Sequence, residues 1–223
     1  MNEHNLTTED LVALKRYDTP TIANAIETFG VRSYSEGFMS PEIQSVFPNL
    51  GPMVGFAATG TMRAREKSDL RYSRNDWFDL IVGLPKPRVV VLQDLDDEPC
   101  GAFWGEIQAN IHKALGCAGV VTNGGVRDLR EVEAAGFQYY AGSVMVSHAY
   151  VHLEDAGVPV RVGGVTVRTG DVIHADLHGV QVIPPDLVRT LPAACEELVA
   201  RERKIISYCQ SAEFTVEGLK KLF

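Results

Sequence analysis

The chain has 223 residues, 45% hydrophobic and 22% charged, enough to bury one sizeable core in a single domain. Asp and Glu outnumber Lys and Arg by 29 to 21, a formal net charge of -8 that repels phosphate backbones and argues against general nucleic-acid binding. A small anion senses only the local field of its pocket and is not excluded, least of all where a metal ion supplies positive charge.

The cysteines, Cys100, Cys117, Cys195 and Cys209, form no C-x-x-C pair and read as reduced thiols. The acidic, polar start is unlike a targeting segment. Apolar runs such as Val89 to Leu92 are too short to span a membrane. The expectation is a soluble, cytoplasmic protein with no membrane partner.

In chain order, Thr7 or Thr8 caps a first helix through Leu11, Val12 and Leu14, with Glu9 and Asp10 in its first turn. Thr19 and Pro20 read as N-cap and first residue of a second helix, with Ile22, Ala25, Ile26 and Phe29 as its stripe and Gly30 at its end. Residues 31–51 are irregular, broken by Pro41 and Pro48. A strand follows from Val54 to Met62, a helix from Asn75 to Val82, and a buried strand from Arg88 to Gln93. Then come a helix from about Trp104 to Leu115, a strand from Ala118 to Thr122, a helix from Asp128 to Ala135 and a strand from Gln138 to Ala141.

Short β-segments take over at Val158–Val162, Val165–Arg168, Asp171–Ala175 and Gly179–Ile183, with Gly163-Gly164 as a hairpin turn. A helix over about 193–207 closes the domain, with Leu198, Val199, Ile205 and Ile206 on its apolar face. This order predicts an α/β fold, helices packed on a mixed sheet, in one domain spanning 1–223 with N-terminal helices over about 7–30.

The candidate site lies between Gly105 and Asp128. The first turn of the helix after Trp104 comprises Gly105, Glu106, Ile107 and Gln108, whose N–H groups lack helical partners and attract a carboxylate. The strand ending at Thr122 runs into Asn123-Gly124-Gly125-Val126-Arg127-Asp128, where two glycines allow a tight bend into a loop. Arg127 suits a carboxylate and Asp128 a hard cation. Locally, Asp128 with Glu131 also reads as a helix capping box, and Arg127 as a surface ion pair.

Residues 107–126, twenty positions, separate Glu106 from Arg127. A glycine-rich block, Gly163-Gly164-Val165-Thr166-Val167-Arg168-Thr169-Gly170-Asp171, and then Ala175-Asp176-Leu177-His178-Gly179, lie further on. With Asp18-Thr19-Pro20 and Val54-Gly55-Phe56-Ala57, these blocks resemble the family of the regulator of ribonuclease activity A (RraA) and the 4-hydroxy-4-methyl-2-oxoglutarate aldolases. The acid-x20-Arg-Asp spacing is the most specific part. Departures are Asn123-Gly124 where the family has Asp-Gly, Asp176-Leu177-His178-Gly179 where it often has Asp-x-Asp-Gly, and Thr169 where Pro is common.

The resemblance implies an RraA-like domain with a layered β/β/α architecture and a class II, divalent-metal pyruvate aldolase using Mg2+ or Mn2+. On it, Asp128 ligates the metal, Glu106 acts through water, and Arg127 binds a small oxo-acid and steadies enolate charge. The N–H groups of Gly105 to Gln108 hold the pyruvyl carboxylate. Oxaloacetate decarboxylation is an implied second activity, and a homotrimer or homohexamer the implied assembly. The alternative is a non-catalytic, protein-binding regulator of ribonuclease assemblies.

Other patterns carry less. His148 and His152 are spaced i, i+4, but the segment lacks the Glu of H-E-x-x-H and a third ligand. No G-x-G-x-x-G follows an early strand, so a dinucleotide phosphate cradle is missing. Phe103 and Trp104 read as packing aromatics that also wall the pocket.

Overall fold

The computed structural model describes residues 6–69 and 72–223; the reading of residues 1–5 as a non-targeting start lies outside them. Two helices come first, α1 (Thr8–Leu14) and α2 (Thr19–Glu27). Thr7 caps α1 in a reciprocal box with Asp10. The cap of α2 is Asp18 rather than Thr19, because the Asp18 carboxylate accepts from Thr21 N–H at 2.8 Å while Thr19 donates its own N–H to Asp176. The helix ends at Glu27, one turn short of Gly30.

The strands and helices of the centre are β1 (Gln44–Ser45), β2 (Met53–Arg63), α3 (Arg74–Gly83), β3 (Arg88–Asp94), β4 (Ala102–Trp104), α4 (Glu106–Ala114), β5 (Cys117–Val126), α5 (Leu129–Ala135) and β6 (Gln138–Val144). The remainder is β7 (His152–Ala156), β8 (Val160–Val162), β9 (Val165–Val167), β10 (Val172–Asp176), β11 (Gly179–Ile183), α6 (Leu191–Cys209) and α7 (Val216–Lys220). Nine strands form one mixed sheet in the order β1-β6-β5-β3-β2-β10-β11, with β4 beside β5 and β7 beside β2. Neighbours β2, β3, β5 and β6 are parallel. The hairpin β8-β9 is a small second sheet, turned by Gly163 and Gly164, both at positive φ as a primed turn requires.

The two-residue period of β3 shows the layering. Val90 and Leu92 pack under the helices with Trp77, Ala109 and Val132, whereas Val89 and Val91 face the hairpin with Val160, Val162 and Val167. The expected β/β/α layers are therefore present. A third apolar cluster joins Leu11, Leu14, Ile22 and Leu191 to Phe56 and Val172. On α6 only Leu191, Cys195 and Leu198 are buried, while Val199 and Ile206 face outward, so its expected apolar face is half used.

Three further differences have local causes. Trp104 belongs to a strand, since β4 pairs with the end of β5 before α4 can begin. Strand β5 runs on through Gly124 and Gly125, which serve close packing rather than a bend: a Cβ at Gly125 would lie 2.5 Å from Met145 Sδ. Strand β7 and helix α7 have short, weakly periodic sequences that give no clear signal.

Helix α4 is pinned along its length. The Arg88 guanidinium, buried at the start of β3, donates to Val82 and Leu84 at the end of α3 and to Leu115 at the end of α4. A cation at two helix C-termini offsets their partial negative charge. In the last turn of α4, His112 is fully buried; its Nε2 accepts from Trp77 Nε1–H at 2.9 Å, so Nδ1 carries the proton and donates to Gln108 O at 2.7 Å. Burial pushes this imidazole from 6.5 down to about 4, against the weaker upward pull of that carbonyl.

The unfolded chain thus takes up the His112 proton near pH 6.5 and the native protein only near 4. This contribution is fully present above 6.5 and is lost as pH falls toward 4, by up to roughly 3 kcal/mol. We expect His112→Leu to lower the unfolding free energy at pH 7 by about 2–3 kcal/mol, because Trp77 and Gln108 lose a buried partner. The variant also loses less stability than the parent between pH 7 and pH 5. Urea melts at the two pH values check both expectations.

Candidate active site at the end of β5

The four parallel strands end on one edge of the sheet, at Arg63, Asp94, Val126 and Val144, the edge where α/β folds gather ligand chemistry. Arg127 and Asp128 follow β5 directly. Arg127 N–H donates to Trp104 O at 2.9 Å, which brings the chain leaving β5 alongside the start of α4. Asp128 then turns left-handed, at φ 56° and ψ 47°, a conformation that Asp and Asn tolerate better than most side chains.

That turn aims the Asp128 carboxylate away from its own helix. No side chain caps α5, so the capping box with Glu131 does not form. Instead Asp128 Oδ2 accepts from Glu106 N–H at 2.9 Å, the first free donor of α4, and lies 3.8 Å from Arg127 Nε. The Arg127 and Asp128 side chains are each about one-third exposed, at 35% and 38%. Gly105 makes this approach possible: a Cβ there would sit 2.5 Å from Asp128 Oδ2 and 3.2 Å from Arg127 Nε. Its backbone is extended, so the requirement is for space and not for a special dihedral.

The structure thus brings together Gly105, Glu106, Arg127 and Asp128. One of the four expected carboxylate-binding N–H groups, that of Glu106, is already engaged by Asp128. Those of Ile107 and Gln108 make no hydrogen bond among the described residues. The Glu106 side chain is exposed beside them. Beneath the site Tyr139 is fully buried, and its phenol is pushed up by that burial and then by the nearby Asp128 charge.

Two residues stood outside the expected set. Asn123 continues the pairing of β5 with β3 past Leu92 and Thr122, where the backbone ladder stops: its Oδ1 accepts from Asp94 N–H at 2.8 Å and its Nδ2 donates to Asp94 O at 2.9 Å. An Asp here could only accept, so the Asn is suited to imitating a peptide group. Asp94 is 2% exposed; Oδ1 accepts from Asp96 N–H, and Oδ2 has no partner among the described residues and lies under Gly124. Burial pushes it up to about 6. Native Asp94 therefore favours folding at low pH, and that contribution is lost as pH rises through 6, opposite to His112. The signal for Asp94 was its place after the buried strand at a parallel-sheet C-terminus.

Asp128 Oδ1 has no partner among the described residues, and Glu106 is free nearby. No three His, Cys, Asp or Glu side chains converge among the described residues. Such a set fits an ion that keeps most of its water, as Mg2+ does, and not a closed zinc cage. The histidine pair does not form one either, since His148 lies in a turn and His152 starts β7, bonded to Tyr150 O and Glu154.

A family model described as RraA-like, Aldolase/RraA, matches residues 19–182. The chain belongs to the RraA-like family. A candidate 4-hydroxy-4-methyl-2-oxoglutarate aldolase of Halalkalibacterium halodurans is 33% identical over 99 residues, 44% of this chain and 47% of that protein. The match thus spans about half the length of that relative. A protein of Pseudomonas syringae pv. tomato superposes with a TM-score of 0.76 at 23% identity, over 98% of this chain and 95% of the other. Streptomyces coelicolor RraAS2, described as an unusual member of the RNase ES inhibitor RraA family, gives 0.69 at 20% identity, over 92% and 98%. These two likenesses establish the fold.

The Gly105 contact gives this RraA-like protein a direct test. Gly105→Ala forces the Asp128 carboxylate off Glu106 N–H, with a stability loss of about 1–3 kcal/mol from overpacking. Hydrogen exchange at the Glu106 amide accelerates in the variant. An amide as protected as in the parent contradicts the assignment.

Proposed function

We propose that this RraA-like protein is a divalent-metal-dependent carbon–carbon lyase acting on a 4-hydroxy-2-oxo acid, such as 4-hydroxy-4-methyl-2-oxoglutarate, and releasing pyruvate. The observation that carries the reading is the meeting of Arg127, Asp128 and the open first turn of α4 at one sheet edge. Family membership supports it, as does the partial match to a candidate aldolase.

In this reading Asp128 holds Mg2+ or Mn2+ and Glu106 assists through water, and the bound ion supplies Lewis-acid polarisation of the 2-oxo group. The N–H groups of Ile107 and Gln108, at the positive end of α4, receive the substrate carboxylate, with the Gly105 turn leaving room for it. Cleavage between C3 and C4 leaves the bonding pair on C3, as the enolate of pyruvate, while the C4 hydroxyl passes its proton through water to Glu106 and becomes a carbonyl; that proton then returns through water to C3 and gives pyruvate. Arg127, pre-positioned beside Asp128, steadies the enolate oxygen without reorganising. Oxaloacetate loses CO2 to give the same enolate, so the same groups serve its decarboxylation.

The rim of the site supports assembly against further copies of the chain, as a trimer or hexamer. Ile107, Val144 and Val146 are 74%, 59% and 95% exposed beside it, an apolar border that a free surface rarely keeps. Among the described residues no helix is long and apolar enough to cross a membrane.

Purified protein with Mg2+ is expected to release pyruvate from oxaloacetate or 4-hydroxy-4-methyl-2-oxoglutarate. Asp128→Asn, which tolerates the left-handed turn, removes that activity without unfolding the chain. Arg127→Gln lowers kcat by about 10²–10³-fold, the usual effect of losing one oxyanion partner. If neither substrate turns over with any divalent ion, the lyase reading fails and the regulator alternative takes its place.

A further inference from the structure

A cavity of about 470 Å3 opens between α3 and α4 on the helix side of the sheet. Its wall is largely aromatic, with Tyr72, Trp77 and Phe78 from the α3 side and Phe103 from β4, closed by Ile111 of α4. Two of these rings are held in place. Trp77 Nε1 is hydrogen-bonded to the buried His112, and Phe78 meets that imidazole edge-on at 6.4 Å. A pre-formed wall spares a ligand much of the ordering cost of binding.

The charges of the cavity are one-sided. Among the described residues no Asp or Glu lines it, although the chain as a whole is acidic by eight charges. Arg74, the first residue of α3, does line it, and this guanidinium has no hydrogen bond or ion pair among the described residues. The other basic side chain in the wall, His152, has both ring nitrogens committed, to Tyr150 O at 2.8 Å and Glu154 at 2.9 Å. A free Arg at an aromatic cavity without acids favours an anion with an apolar body.

Size narrows the class. An apolar cavity of roughly 150 Å3 already accepts benzene, so this one has room for a ring with a short side arm. We propose that the cavity is a binding site for a small aromatic carboxylate, with its ring among Trp77, Phe78 and Phe103 and its carboxylate on Arg74. The cavity borders the first turn of α4 at Gln108, but neither Glu106, Arg127 nor Asp128 lines it, and its occupation does not depend on the lyase reading.

Calorimetric titration of the full chain with phenylacetate tests this, with neutral benzyl alcohol as the comparison. Saturable phenylacetate binding is expected, weakened at least about tenfold by Arg74→Gln, the loss of one charge-assisted contact. Benzyl alcohol binds more weakly than phenylacetate and is indifferent to Arg74→Gln. Ile111→Trp fills the cavity and removes both, and Phe78→Leu, a milder change, weakens both. Asp128→Asn leaves phenylacetate affinity unchanged. The proposal is overturned by absent saturation below about 10 mM, a weakness beyond ordinary metabolite affinities. Equal affinity in the Arg74→Gln protein, or loss of binding in Asp128→Asn, overturns it as well.

Discussion

One hydrogen bond, from Glu106 N–H to Asp128 Oδ2, joins the end of β5 to the beginning of α4. An Asp after a strand would ordinarily cap the helix that follows it. Here the left-handed turn at Asp128 denies α5 that cap and gives the carboxylate to a different helix. Every neighbouring choice supports the exchange. Trp104 sits in a strand so that α4 starts beside β5, and Gly105 lacks the Cβ that would block the contact. Arg88 holds the far end of α4 through carbonyls, so the helix is fixed at both ends with complementary charge.

The same region contains groups that do not serve stability alone. Asp94 is buried with an oxygen that has no partner among the described residues, and burial pushes its carboxyl up to about 6, beside the strand that leads to Arg127. Asn123 repairs the interrupted ladder with its side chain, and the repair needs both a donor and an acceptor. Buried polar groups at the C-terminal edge of a parallel sheet are a common mark of functional sites. His112 is different: fully partnered on α4, it fixes Trp77 and gives the helix layer a polar anchor.

Much of this organisation was legible in the residues. The apolar run of β3, the glycine pair at 163–164 and the periodic helices marked helices packed on a mixed sheet, because burial and turn geometry act locally, while the β/β/α layering followed from the family resemblance. Glu106, Arg127 and Asp128 stand out through the acid-x20-Arg-Asp spacing of the family the chain resembles, and the structure brings Glu106 N–H, Arg127 and Asp128 together. The route by which they meet was hidden. A capping box and a cross-helix bond use the same Asp128, and only the backbone dihedral separates them. Gly124 and Gly125 read as a bend but act as thin places in the packing, against Asp94 and Met145, contacts between residues distant in sequence. The place of Asp94 at the end of a buried strand is visible in the residues, but the loss of water around its carboxylate is not, since it depends on packing against Gly124.

The central claim is that Asp128, held at the start of α4, is where a divalent ion and an oxo-acid meet. A crystal structure of the protein with Mn2+ and pyruvate, read by anomalous scattering, tests it most directly. The expected result is one ion about 2.0–2.2 Å from an Asp128 oxygen, with the pyruvate carboxylate over the N–H groups of Ile107 and Gln108 and Arg127 against the ligand. An ion seated elsewhere, or pyruvate bound without contact to Arg127 and α4, contradicts it.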